Sequence, residues 1–294
     1  MKPIIELVEV SKVFKGKPAV DNVSLTIEEG SVVALLGPNG AGKTTTVSMT
    51  LGLLQPTKGD IRLLGGKPQD RAVRDRMGAM LQDVNIIDGL TVVETINLFR
   101  HYYSNPLPLQ KLLHVSGLEA EKNKRASALS GGQKRRLGFA LALAGDPSLL
   151  FLDEPTVGMD ITSRQQFWDT VRDMAAHGRT IILTTHYLEE ADSIADRIVV
   201  INKGKLIADG TSAEIKASTN QKTIMFTAGV QLTADMLADI PMIANVTWSG
   251  RRVKITSPDT DQVIMALIQK GLDIKDIEIH TGGLEDAFQF LVQQ

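Results

Sequence analysis

The 294-residue sequence predicts an α/β fold in which a mixed sheet surrounds a phosphate-binding loop, with an antiparallel β layer, a helical insertion and a small α+β unit at the C-terminus. Three observations carry this expectation. The apolar run Ser31 to Leu36 passes through Gly37-Pro38-Asn39-Gly40-Ala41-Gly42 into Lys43-Thr44-Thr45, which reads as a buried parallel strand, a glycine turn and a helix start. From about Asp88 to Gly145 apolar residues recur at three and four positions, as in Val92-Val93-Ile96 and Leu109-Leu112-Leu113. Beyond residue 218, short strand and helix patterns alternate as a set of their own.

Taken in order, Ile4 to Val10 and Val23 to Ile27 alternate apolar with polar residues, as antiparallel strands with one wet face do. Between them Ser11 to Gly16 reads as a short loop, and its Phe14 either stacks on a nucleotide base or plugs a core edge. The loop from Gly37 to Gly42 suits phosphate because residues without a Cβ can turn their N–H groups inward, and the following helix adds its dipole. In that pattern Lys43 reaches the β- and γ-phosphates, Thr44 offers its hydroxyl to Mg²⁺ and Thr45 adds a phosphate contact.

Further along, Pro56 and Gly59 precede a strand from Asp60 to Leu64, and Met77 to Leu81 forms another that ends in Gln82-Asp83. A glutamine at the end of a central strand can point its amide at a metal or an attacking water. Leu129 is followed by Ser130-Gly131-Gly132-Gln133 and a helix, so Ser130 is a good N-cap and the glycines leave a second helix terminus open to an anion. The apolar strand Leu149 to Leu152 ends in Asp153-Glu154, and ligands of open α/β sheets gather at that edge. One acid can hold Mg²⁺ while the other points at a nucleophile. A helix from Thr162 to Ala176 leads to the strand Thr180 to Thr184 and then His186, whose imidazole would face the same edge and bond a γ-phosphate. Alone, Gln82 and His186 would each be ordinary surface residues. Asp196 to Ile201 and Lys205 to Ala208 pair across Asn202-Lys203-Gly204.

Composition narrows the class. The formal net charge is −2 without a basic block, so the field that draws proteins onto nucleic acid is missing and no direct nucleic-acid partner is expected. There is no cysteine, which excludes disulfide scaffolds and thiolate metal sites and suits a reducing cytoplasm. The N-terminus lacks a cleavable signal pattern, and no run approaches the ~18 apolar residues of a spanning helix, so the chain is expected not to cross a membrane.

Read together, GPNGAGKTT, Gln82, LSGGQ, LLFLDEP, Asp160 and His186 stand in an order that resembles the nucleotide-binding subunits of ATP-binding cassette (ABC) transporters, over about residues 3 to 217. LSGGQ just before the acidic strand is the most specific part. The resemblance implies a P-loop NTPase cassette that binds ATP and Mg²⁺, with domain bounds of 1–217, a helical subdomain at about 84–148 and a further domain at 218–294. It implies a head-to-tail homodimer, or a heterodimer with a related cassette, in which ATP lies between the phosphate loop of one chain and Ser130, Gly131, Gly132 and Gln133 of the other. It further implies that Phe14 stacks on the base, Asp153 serves the metal and Glu154 is the general base. Gln82 links the metal site to the transport partner, and Asp160 lies in a loop crossing the dimer. The chain departs from the family pattern at Val157, commonly serine, and Met159, commonly leucine. A separate membrane permease and a peripheral place on the cytoplasmic face of the membrane follow from the same resemblance. A cassette acting on nucleic acid or ribosomes is the alternative, and those usually carry two cassettes or a long basic insertion. A non-hydrolysing regulatory cassette conflicts with Glu154 and His186 both being present.

Strand patterns at Lys222 to Thr227, Ile243 to Trp248, Arg251 to Thr256 and Ile274 to Ile279, with a helix from Asp259 to Gln269 and a last helix from Leu284 to Val292, suggest a ferredoxin-like β-α-β-β-α-β unit. This part resembles the C-terminal extension of bacterial exporter cassettes of the drug, polysaccharide and sodium type, which implies regulation or dimerisation. Met225, Met236, Met242 and Met265 read as flexible core filler.

Overall fold

The computed structural model of the protein describes residues 3–82, 87–218, 222–229 and 232–293. Asp83 and the expected start of the helical subdomain at about 84 lie outside them. In chain order, β1 (Pro3–Phe14) and β2 (Lys17–Glu28) form a hairpin, β3 (Val32–Leu36) is a fully buried strand, and the phosphate loop leads into α1 (Lys43–Thr50). Then come β4 (Lys58–Leu63), α2 (Arg71–Arg74), β5 (Met77–Met80), α3 (Val92–Arg100), α4 (Leu109–Ser116), a 3₁₀ turn at Ala126–Ala128 and α5 (Gly131–Ala142). β6 (Leu149–Asp153), α6 (Ile161–Ala176), β7 (Thr180–Thr184), α7 (Leu188–Ile194), β8 (Arg197–Asn202) and β9 (Lys205–Gly210) complete the larger unit.

The expected loop at Ser11 to Gly16 is instead mostly strand, because β1 runs on to Phe14 and the chain reverses only at Lys15-Gly16. Sequence alternation breaks off at Val10 for a physical reason. Bulges at Glu9 (φ 50°) and Asn22 (φ 52°) each insert a residue and reset the two-residue period, which hides the continuation of both strands. α1 likewise stops short of the expected Leu53, since Gly52 turns left-handed at φ 71°.

β2, β1 and β4 form a three-stranded antiparallel sheet, and a six-stranded sheet runs in the order β5-β6-β7-β3-β8-β9. In the latter β5, β6, β7, β3 and β8 are parallel, and β8 turns into β9 through Lys203 (φ 49°) and Gly204 (φ 79°). Positive φ at both central residues is what a tight two-residue hairpin needs. One apolar cluster joins the layers: Ile5 and Leu7 from β1, Val47 from α1, and Phe151, Ile182 and Val199 from the parallel sheet. At ~25 cal/mol per Å² of apolar surface removed from water, such burial is the main force aligning the strand ends.

The chain divides into Met1–Asp209 and Gly210–Gln294, ahead of the 217/218 position read from sequence, so α8 (Ser212–Ser218) falls in the second unit. There β10 (Lys222–Ala228), α9 (Ala234–Ala238), β11 (Asn245–Ser249), β12 (Arg252–Ser257), α10 (Thr260–Gln269), β13 (Ile274–Thr281) and α11 (Leu284–Gln293) follow. The sheet order β11-β12-β10-β13, antiparallel throughout, is that of a split β-α-β pair. Its core is Ile224, Phe226, Val253 and Ile255 beneath Leu237, Val263 and Leu267. The methionines do not fill that core as expected. Met236, Met242 and Met265 are exposed, and Met265 lies off the α10 face that carries Val263 and Leu267, while Met225 is half-buried. Among the described residues no helix is long and apolar enough to cross a membrane.

Gly78 shows how closely α5 is seated on the sheet, because a Cβ there would lie 2.1 Å from the carbonyl oxygen of Ala142. Gly78→Ala is therefore expected to lower stability by about 1–3 kcal/mol, the usual penalty of overpacking, measured by urea unfolding.

Candidate functional site

Parallel pairing brings three strand ends to one edge. Leu35 of β3 stands opposite Thr184 of β7, and Thr184 stands opposite Asp153 of β6. The phosphate loop, the Asp153-Glu154 pair and the turn bearing His186 therefore emerge side by side and line one cleft of about 490 Å³.

The loop is shaped by close approach. Gly42 caps α1 at φ 107°, and a Cβ on it would sit 2.5 Å from the Ala19 carbonyl oxygen. The tip of the β8–β9 hairpin holds the loop from behind, with Gly204 N donating to Ala41 O at 2.8 Å and Asp21 N donating to Gly204 O at 2.8 Å. Lys43 is only 8% exposed, and its Nζ donates to the carbonyls of Gly37 (2.6 Å) and Pro38 (3.1 Å). Burial lowers the Lys43 ammonium pKa from its ordinary value, while the charges of Glu154 and Asp153 act in the opposite sense. Asn39, Gly40, Ala41, Thr44 and Thr45 line the same cleft, as do Phe14 and Ala19. Phe14 is 45% exposed, with Lys12 Nζ 5.3 Å from its ring centroid in a cation–π contact.

Across from the loop, the Thr184 hydroxyl donates to Asp153 Oδ1. Glu154 turns left-handed at φ 49°, a conformation that costs a residue with a Cβ about 1–3 kcal/mol. Its N–H is held there by the Thr184 carbonyl and hydroxyl oxygens, each at 3.1 Å. The turn aims the carboxylate between two side chains: Gln82 Nε2 donates to Oε2 at 3.3 Å, and His186 Nε2 lies 2.5 Å from Oε1. A carboxylate so placed can accept a proton from a water entering the cleft.

Ser130 caps α5 in a reciprocal box, accepting from Gln133 N at 3.3 Å while Gln133 Oε1 accepts from Ser130 N at 3.0 Å. Around Gly131 the space a Cβ would take is open, and one on Gly132 would meet the Gly158 carbonyl oxygen at 3.2 Å. None of Ser130 to Gln133 lines the cleft of the same chain, nor does Asp160, which caps α6. Ser163 donates to Asp160 through its hydroxyl (2.7 Å) and amide (2.9 Å), and these bonds hold the carboxyl below its ordinary pKa.

A family model described as "ABC transporter" matches residues 20–157. The chain is 36% identical over 293 residues to "Nod factor export ATP-binding protein I" of Paraburkholderia xenovorans, covering 97% of this chain and 95% of that protein. The protein of the same name from Rhizobium johnstonii is 35% identical, with 96% and 95% covered. The chain belongs to the ABC transporter family. A solved ATP-binding subunit of an ABC transporter superposes with a TM-score of 0.68 at 27% identity, over 74% of this chain and 93% of that one. A dimeric ATP-binding cassette in a post-hydrolysis state, bound to ADP and phosphate, superposes at 0.66 and 27% identity, over 70% and 98%.

This ABC chain is an ATP-binding protein and an ATPase. The structure brings Phe14, Gly40, Gly42, Lys43, Thr44, Gln82, Asp153, Glu154 and His186 around one cleft, and leaves Ser130, Gly132 and Asp160 outside it. Sequence reading missed Ala19, Lys12 and Thr184. The Thr184-Thr185-His186 run marks Thr184 as a hydroxyl at a buried strand end, whereas Ala19 carries no local mark. Lys43→Ala removes the buried cation and Thr44→Ala one oxygen donor. Each is expected to weaken MgATP binding at least ten-fold, on the order expected for losing one charge-assisted contact, as read by nucleotide titration.

Proposed function

We propose that this protein is the ATPase subunit of an export complex, in which two chains close on ATP and drive a separate membrane permease. The observation that carries the reading is Glu154, held between Gln82 and His186 across the cleft from Lys43. In this reading the phosphate loop amides and Lys43 compensate the β/γ-phosphates, and Phe14 stacks on the base. Glu154 takes a proton from water as the water oxygen bonds the γ-phosphorus and the bond to the β–γ bridging oxygen breaks. His186 orients Glu154 and reaches the γ-phosphate.

Thr44 and Asp153 supply oxygen donors on one cleft with Gln82 beside them, a donor set that fits Mg²⁺, which takes one or two protein oxygens together with phosphates and water. When bound, it neutralises charge on the β- and γ-oxygens. The capped but open start of α5 lies outside its own chain's cleft, which supports Ser130, Gly131, Gly132 and Gln133 serving the nucleotide of a second chain, with Asp160 crossing beside them. The outward direction of transport is supported by the export named in the relatives' descriptions. A cytoplasmic, membrane-peripheral place follows from docking on a permease. We assign the second unit to packing and dimer contacts.

Two experiments test this. Glu154→Gln keeps the size and most hydrogen bonding of the side chain but cannot take a proton. ATP is expected to bind, dimerise the chain on size exclusion and persist, with turnover down at least 10²-fold, the usual worth of a general base. Turnover at the wild-type rate would remove Glu154 from the chemistry. Mixing Lys43→Ala chains with Ser130→Arg chains is expected to regain ATPase activity, because some dimers then hold one undamaged shared site. With ATP occupancy counted per dimer, mixed dimers that bind one ATP and stay inactive would refute independent shared sites.

A further inference from the structure

Beside Glu154 and His186 lies a second polar cluster that nucleotide chemistry does not use. Glu190, in the first turn of α7, is 7% exposed, a costly place for a carboxylate without donors. The Thr156 hydroxyl lies between its two oxygens, at 2.9 Å from Oε1 and 3.1 Å from Oε2, and the Thr185 hydroxyl donates to Oε2 at 2.9 Å. Arg164 Nε stands 3.5 Å from Oε1, an ion pair without hydrogen-bond geometry, and its guanidinium lies 4.5 Å from the ring centroid of Tyr187. Thr185 Oγ1 accepts in turn from Tyr187 N at 3.0 Å.

The places these residues occupy in the chain give the cluster its meaning. Thr156 follows Glu154 in the loop after β6, and Thr185 directly precedes His186 in the loop after β7. Arg164 lies one helical turn beyond Asp160, whose carbonyl accepts from the Arg164 N–H at 2.9 Å. One buried carboxylate thus ties together the two loops that set the 2.5 Å approach of His186 to Glu154, and the start of the helix that Asp160 caps. Loops of this kind are free to move unless such a tie fixes them, and catalytic geometry tolerates only about 0.5 Å of error.

We propose that Glu190 is a positioning residue that holds Glu154 and His186 in register and couples that pair to the Asp160 loop. This rests on the reading of Glu154 and His186 as the hydrolytic pair, which Glu154→Gln tests separately: if that variant still hydrolyses ATP, the pair is wrong whatever Glu190 does.

The test is steady-state ATPase kinetics, with thermal midpoint as a check on folding. Thr156→Val and Thr185→Val keep nearly the same shape and lie outside the cleft. Each is expected to lower kcat on the order of ten- to a hundred-fold, the cost of a small misplacement, with KM for ATP changed by less than about two-fold. Thr156→Ser keeps the hydroxyl and should recover most of kcat. Glu190→Gln combined with Thr156→Val should cost less than the product of the two single losses, because both break one unit. Thr156→Val at the wild-type kcat, Thr156→Ser no better than Thr156→Val, or fully multiplicative losses would each overturn the proposal. Should Thr156→Val fail to fold, Glu190→Gln with wild-type kcat overturns it equally.

Discussion

The site depends on parallel strands that end at the same edge of one sheet. Parallel neighbours share a direction, so the carboxyl ends of β3, β6 and β7 must emerge together, and the register that sets Thr184 against both Leu35 and Asp153 fixes them to within a residue. The strands themselves are buried along their whole length, as parallel strands covered on both faces are. Apolar burial far from any polar chemistry thereby decides where two carboxylates, a lysine and a histidine meet. An antiparallel β6 would carry Glu154 to the opposite edge.

On that frame, local distortions do the aiming. Glu154 occupies a conformation unfavourable for a side chain, and the hydrogen bond its N–H shares between the Thr184 carbonyl and hydroxyl oxygens offsets part of the strain, by about 0.5–1.5 kcal/mol. The phosphate loop reaches its shape by backbone contact, which is why Gly42 can stand against the Ala19 carbonyl and Gly204 against both Ala19 and Ala41. The hairpin tip therefore backs the loop from outside the cleft, while the first strand pair and its turn line the cleft through Phe14 and Ala19.

The two units divide the work of stability. Met1–Asp209 buries its apolar residues between an antiparallel layer and a parallel sheet, and Gly210–Gln294 buries a separate set beneath α9 and α10. The second unit holds its last helix by polar contacts too: Asp286 accepts from Lys254 at 2.8 Å and from Gly283 N at 3.1 Å. Its core is its own, drawn from Ile224, Phe226, Val253, Ile255, Val263 and Leu267.

Much of this was legible in the sequence. The apolar run before GPNGAGKTT, the acids closing LLFLD-Glu154 and the histidine after Thr184-Thr185 determine strand ends and chemistry through local patterns, because a buried strand needs an unbroken apolar run and a phosphate turn needs glycine. Ser130 with Gln133 three residues on fixes a helix start for the same local reason. Other features were hidden because they arise from contacts between distant segments. Bulges at Glu9 and Asn22 concealed the length of the first hairpin, and the exposure of Met236, Met242 and Met265 depends on which helix face meets the sheet. That Gln82 and His186 both converge on Glu154, that Ala19 meets Gly42, and that Glu190 binds Thr156 and Thr185 follow only from the crossing of strands and loops far apart in the chain. The sequence by itself determined which chemistry the chain carries, since that lies in short motifs; the tertiary structure decided what each group touches, since strand order and register set distances no local pattern encodes.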